Sequence, residues 1–275
     1  MNLAFTLEGY FLQSGEDSGV GGSVYRFWER EKEMIRVNEM FCSLQGESSF
    51  SGVPCFFIRL SGCNLRCSYG DTAYAFAEGR DMAIEAILGE VAEAARRWGR
   101  AKLSGHLLPL VEVTGGEPLL QKETPELLRR LCDGGYTVLL ETNGSLELDE
   151  VDGRVIKIVD MKAPSSGEEE ANLPGILEKL GGTDEVKFVL GSREDYDWMK
   201  DFLEARPWLA ERCTLLVSWC DLARIAQGQG LKPVPADHHP VSRRWLAEAI
   251  LRDCLPVRMQ VQLHKILWEE TERGR

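Results

Sequence analysis

Short apolar runs that alternate with segments of helical spacing constrain this chain more than any other feature. VPCFFIRL (53–60), LPLVEV (108–113), YTVLLE (136–141), VIKIVDM (155–161), EVKFVL (185–190), CTLLVS (213–218) and VRMQVQL (257–263) are rich in β-branched and aromatic residues and read as strands. Between them, Ile84, Ile87, Leu88, Val91, Ala94, Ala95 and Trp98 follow helical spacing behind a possible Asp81 cap. Thr124-Pro125 opens a helix carried by Leu127, Leu128 and Leu131 and stopped by Gly134-Gly135. Asn172 and Pro174 open a brief helix to Leu180, Ser192 caps one carrying Tyr196, Met199, Phe202 and Leu203, and another lies near 242–252. This alternation predicts an α/β fold with a parallel sheet, whose ligands bind at the carboxyl ends of the strands. GCN, TGGEP, ETNGS and KAPSSG all fall at such ends.

The net charge of −12 and sequence pI near 5.0 argue against a nucleic-acid footprint. No apolar run is long enough to span a bilayer, and the N-terminus lacks the pattern of a signal peptide. A cytoplasmic protein with reduced cysteines is expected. Residues 1–33 read as an extension, Gly/Ser-rich and then charged, with Met34 a second candidate start. The body spans 34–275, and 221–240 reads as an insertion that touches none of the motifs.

In TGGEP the glycines allow close backbone approach and offer amides to an anion, and Glu117 can accept from an ammonium; a plain strand-to-helix turn explains the same residues equally well. ETNGS and DMKAPSSG read as turns by default, with Lys162 either paired or solvated. Gln45 and Glu47 suit the polar edge of a heterocycle, although such residues more often decorate a loop. Arg59 lies within an apolar strand and needs a partner, either a bound carboxylate or a structural ion pair. His264 and His238-His239 read as structural or surface residues. Cys63 and Cys67 begin a C-x-x-x-C-x-x-C loop, the kind that leaves one iron of a four-iron cluster open, but Gly70 stands at the third position. Ser68 and Asp71 nearby are harder donors, poorly suited to replace a thiolate.

SLQGE, FIRLSGCNLRC, DTAYA, TGGEPLLQ, ETNGS, KAPSSG and VQLHKILW together resemble radical S-adenosylmethionine enzymes, narrowed to the 7-carboxy-7-deazaguanine synthase family, over Met34 to Trp268. The resemblance implies a partial, open βα barrel, a homodimer, a 4Fe-4S cluster, S-adenosylmethionine and Mg2+. It implies radical ring contraction of 6-carboxy-5,6,7,8-tetrahydropterin to 7-carboxy-7-deazaguanine with loss of ammonia, a step towards queuosine. The electron donor would be a flavodoxin or ferredoxin. By this resemblance Cys63 and Cys67 are cluster ligands and Thr72 contacts magnesium. Tyr69, Gly70, Asp71, Gly116, Glu117, Asp160, Met161 and Lys162 surround S-adenosylmethionine, and Leu44, Gln45, Gly46, Glu47, Arg59 and Thr114 hold the pterin. Gly70 departs from the family pattern and puts cluster binding in question; a one-base Cys-to-Gly change accounts for an otherwise complete motif set. Alternative readings are an activase for a glycyl-radical enzyme and a non-catalytic pterin or S-adenosylmethionine binder.

Overall fold

The structure is a computed structural model that describes residues 33–70, 73–99, 101–224, 230–268 and 274. Residues 1–32 of the expected extension lie outside the described residues, as do Asp71, Thr72 and positions 225–229 of the expected insertion.

One nine-stranded sheet organises the body, in the order β11-β10-β9-β8-β7-β6-β2-β1-β3. Its strands are β1 (Met34–Leu44), β2 (Pro54–Leu60), β3 (Arg80–Ala83), β6 (Leu110–Gly115), β7 (Val138–Thr142), β8 (Ile156–Met161), β9 (Glu185–Leu190), β10 (Thr214–Trp219) and β11 (Arg258–Gln260). A separate two-stranded hairpin joins β4 (Lys102–Leu103) to β5 (His106–Leu107). From β2 to β11 every pairing is parallel, whereas β1 pairs antiparallel with both β2 and β3. Among the described residues β3 and β11 are the two edges of the sheet, so the barrel stays open.

The sheet turns alternate side chains to opposite faces. On the outer face, Ile58, Leu60, Val111, Val113, Val138 and Leu140 share a core with α1 (Ile84–Arg96) and α2 (Thr124–Asp133). Val159, Met161, Val186, Phe188, Leu215 and Val217 do the same with α3 (Arg193–Glu204) and α5 (Arg243–Arg252). Ser192 starts α3 through a reciprocal capping box with Asp195, and Ser242 caps α5. Single turns α4 (Leu209–Arg212) and α6 (His264–Leu267) complete the helices. The inner face begins with Cys55, Phe57, Leu110, Leu139, Ile156 and Ile158, an apolar base against Phe41, Phe50 and Val53.

Several expected elements differ. Asp81 is no helix cap: it lies in β3, paired with Arg36 of β1, and Ala83 precedes the helix without a side-chain cap. The segment after Asn172 forms only a short 3-10 turn at Ile176–Lys179. The last strand covers three residues, and the eleven-residue β1 was not anticipated.

Candidate active site

Above the apolar base, the inner face turns polar. Parallel register sets Arg59 beside Thr114 and Asp160 beside Lys187. Glu112, Glu141, Ser218 and Gln260 share this face on β6, β7, β10 and β11. Lys187, only 4% exposed, is the hub: its Nζ bonds Glu141, lies 3.1 Å from Glu47 Oε2 and 4.0 Å from Asp160 Oδ2. Burial would lower its pKa, but Glu141, Glu47 and Asp160 overcome that and hold it well above the usual lysine value. Lys162 donates to Asp160 Oδ2 at 2.8 Å.

The loop after β1 crosses this chamber. Gln45, buried, donates to Glu112. Glu112 itself is pushed well above the carboxylate range by burial and then by Glu141. Glu47 accepts from Gln262 Nε2 at 2.6 Å, and Gln260 and Ser218 lie close to its other oxygen. Burial opposes its charge, yet Lys187 and Gln262 bring its pKa down to about 2. Gly46 lies close under His264: a Cβ would fall 2.5 Å from His264 Nδ1, so a larger residue would make that ring shift, and the Gly46 carbonyl accepts from the Leu263 amide. Leu44, half-buried at the end of β1, pairs with Pro54.

Arg59 donates to Glu39 Oε1 at 2.8 Å, lies over the Phe41 ring, and shares Glu39 with the Tyr74 hydroxyl. The structural ion pair is therefore present, with Thr114 alongside in register.

The cysteine loop packs directly on TGGEP. A Cβ at Gly116 would fall 2.1 Å from Gly62 O and 2.6 Å from Cys63 Cβ, so only glycine permits the approach. The amides are spent on the fold: Gly116 donates to Leu60 O and Glu117 to Gly62 O. Glu117 is fully buried, and its carboxylate accepts from Leu119 N, Thr142 Oγ1 and Asn143 N. It thus ties β6 to the turn after β7, its acceptors already engaged. That same turn holds the loop, since Asn143 Nδ2 donates to Asn64 Oδ1 at 3.0 Å and Asn64 Nδ2 to Ser145 Oγ at 2.8 Å.

Cys63 and Cys67 are partly buried, and burial raises both thiols, Cys67 to about 11, against the pull of Lys162. The Tyr69 hydroxyl lies 3.5 Å from Val189 O, its pKa driven up by burial and then by Asp160. Met161 turns away into the outer core. At Gly70 a Cβ would meet Cys67 O at 3.4 Å and Leu231 Cδ2 at 3.5 Å, ordinary van der Waals contacts.

Among the described residues, Asp160 Oδ1 and Gln260 Oε1 are buried acceptors without a hydrogen-bond partner. Such groups are rarely left unsatisfied, so this polar face suits a partner bearing N–H or O–H groups. A cluster held by three thiolates does not fit: the loop supplies two, and among the described residues no group of three or more His, Cys, Asp or Glu could hold a metal ion.

The sequence reading missed Lys187, Glu112, Glu141, Glu39, Gln260 and Gln262. Lys187 interrupts EVKFVL just as Arg59 interrupts CFFIRL; a charge within an apolar strand was the available signal. The expectation that 221–240 avoids the motifs is overturned, because Leu231 adjoins Gly70 and the Lys232 amide donates to Arg66 O.

Residues 57–205 match the family model described as the Radical SAM superfamily. The chain is 42% identical over 243 residues to the 7-carboxy-7-deazaguanine synthase of Chlorobaculum tepidum, covering 87% of this chain and 97% of that one. It is 38% identical to the enzyme of that name from Koribacter versatilis, covering 87% and 100%. The crystal structure of QueE from Escherichia coli superposes with a TM-score of 0.61 at 23% identity, over 84% of this chain and 95% of that chain, a likeness of fold. The chain belongs to the radical S-adenosylmethionine superfamily and, within it, to the 7-carboxy-7-deazaguanine synthase family.

Proposed function

We propose that this chain is a carbon–nitrogen lyase by design, built to convert 6-carboxy-5,6,7,8-tetrahydropterin to 7-carboxy-7-deazaguanine with loss of ammonia, and that Gly70 impairs its turnover. The observation that carries this reading is the charged chamber beside the cysteine loop, with the unpartnered Asp160 Oδ1 inside it. A nitrogen-rich bicycle with one carboxylate matches alternating carboxylates, amides and cations better than an apolar substrate would. Arg59 and Thr114 hold the carboxylate, with Arg59 kept in place by Glu39. Gln45 and Glu47 take the polar edge of the heterocycle, and Leu44 and Gly46 shape the loop that carries them.

In the family, a 4Fe-4S cluster and S-adenosylmethionine supply radical chemistry. Here the two thiols do not complete that donor set, and the proposal assigns the chain's residues binding and orienting roles. Asp160, Lys162, Tyr69 and the backbone at Gly70, Gly116 and Met161 face S-adenosylmethionine, while Glu117 braces the loop from behind. Asp71 belongs to the same group and Thr72 meets Mg2+, both outside the described residues. A homodimer in the cytoplasm, reduced by a flavodoxin or ferredoxin, completes the proposal.

Anaerobic reconstitution with iron and sulfide tests it. Supplied with the pterin, S-adenosylmethionine and a reductant, the chain as it stands should form little 7-carboxy-7-deazaguanine, and Gly70→Cys should raise its yield by at least the roughly tenfold to hundredfold that even a lost outer partner of a metal ligand costs. Equal yields from both would defeat the assignment of Gly70. A second reading, a binder without turnover, is favoured by the two-thiol loop and gains support if Gly70→Cys binds pterin but forms no product.

A further inference from the structure

We propose that residues 230–241 form a strap that positions the cysteine loop, with Lys232 as its positioning residue. Cys63 to Gly70 contain no regular secondary structure. Internally, the loop is held by the Gly70 amide on Cys67 O and by the Arg66 guanidinium on Cys63 O and Leu65 O. Its geometry therefore depends on what surrounds it.

Two neighbours meet there. Ser68 bonds the turn after β8 through its amide to Ser166 O and its hydroxyl to Ser165 O. The strap then joins loop to turn. The Lys232 amide donates to Arg66 O at 2.8 Å, and Lys232 Nζ donates to Gly167 O at 2.6 Å and Glu168 Oε2 at 2.8 Å. The other oxygen of Glu168 accepts the Arg66 amide at 2.7 Å. One carboxylate thus couples the strap lysine to the loop backbone. Gly167, at φ +69, keeps clear the space for the lysine stem, since a Cβ there would lie 3.1 Å from Lys232 Cδ.

The strap's far end is anchored in the body. His238 Nδ1 lies 2.6 Å from Ser165 Oγ and 3.4 Å from Ser192 Oγ. His239 O accepts the Arg193 amide, and the Val241 amide donates to Gly191 O. Lys232 is thereby fixed relative to the start of α3 rather than dangling from a surface loop. The inference takes its significance from reading 61–70 as the cofactor loop, but it concerns the loop's rigidity and stands or falls separately.

Hydrogen exchange and iodoacetamide alkylation of the full chain test it. Lys232→Ala should speed exchange across 61–70 and alkylation of Cys63 and Cys67 about tenfold, the scale of a lost charge-assisted hydrogen bond that limits local opening. Exchange in β7 and alkylation of buried Cys213 should not change. Lys232→Arg should restore the slow rates, and Lys200→Ala, which breaks a pairing with Asp253 on the other side of α3, should leave them alone. No acceleration in Lys232→Ala, acceleration spread equally over the whole chain, or no rescue by arginine would overturn the proposal. Pterin binding is a separate readout, so loss of the substrate reading leaves this one standing.

Discussion

The charged chamber and the cysteine loop are neighbours built to different standards. In the chamber, Lys187 is met by Glu141 and Glu47, Gln45 by Glu112, and Lys162 by Asp160. The loop is as firmly placed, but it presents two thiols and a glycine where the proposed cofactor site calls for a third thiolate. The difference teaches that the fold does not need the missing group. The chamber's charges sit in strand interiors, where a lost charge would leave buried partners stranded. Position 70 is a loop site where an added Cβ meets only ordinary contacts, so a change there costs the fold little.

That contrast can be broken or sharpened by mutation. Lys187→Met should have the largest effect, removing about 3 kcal/mol or more of stability by leaving Glu47 and Glu141 without their cation; denaturant unfolding measures it. A loss below about 1 kcal/mol would show that solvent already serves these carboxylates. Glu117→Ala, which joins the two regions, should cost about 2 kcal/mol by stranding the Leu119 and Asn143 amides. It should also raise exchange at Asn64, which Asn143 holds.

The pH dependence follows from two carboxyls with opposite shifts. Glu47 is held down to about 2, so its contribution is complete above its unfolded value of about 4.3 and disappears as pH falls towards about 2. Glu112 is raised, so its contribution is complete at low pH and is lost as pH rises through its elevated folded value. Glu112→Gln keeps an amide partner for Gln45 without a charge to bury. The melting temperature of this variant, relative to the parent, should climb as pH increases; a constant difference from pH 5 to pH 9 would show that Glu112 does not titrate in that window. Cys67→Ser should have the smallest effect, under about 1 kcal/mol, because the thiol is only partly buried and tied to little.

Much of this was legible before any coordinates. The parallel strands, the cap at Ser192 and the polar rim follow from local periodicity and end signals. β1 was not legible because MIRVNEMFCSL alternates without many β-branched residues, and only pairing with β2 and β3 makes it a strand. The same pairing draws Asp81 out of a helix cap. Lys187 escaped notice because its partners come from β7, β8 and the loop after β1, separations that no short window spans. Arg59 was noticed, but the ion pair with Glu39 depends on antiparallel register. The strap was misjudged for a similar reason: its link to Arg66 crosses more than half the chain.

The central claim is that the chamber is complete while the loop is not. Anaerobic titration calorimetry of the unaltered chain with 6-carboxy-5,6,7,8-tetrahydropterin tests it most directly. The account predicts saturable binding at one site per chain, weakened roughly tenfold or more in Arg59→Ala. No binding by the unaltered chain, or equal affinity in the variant, would contradict it.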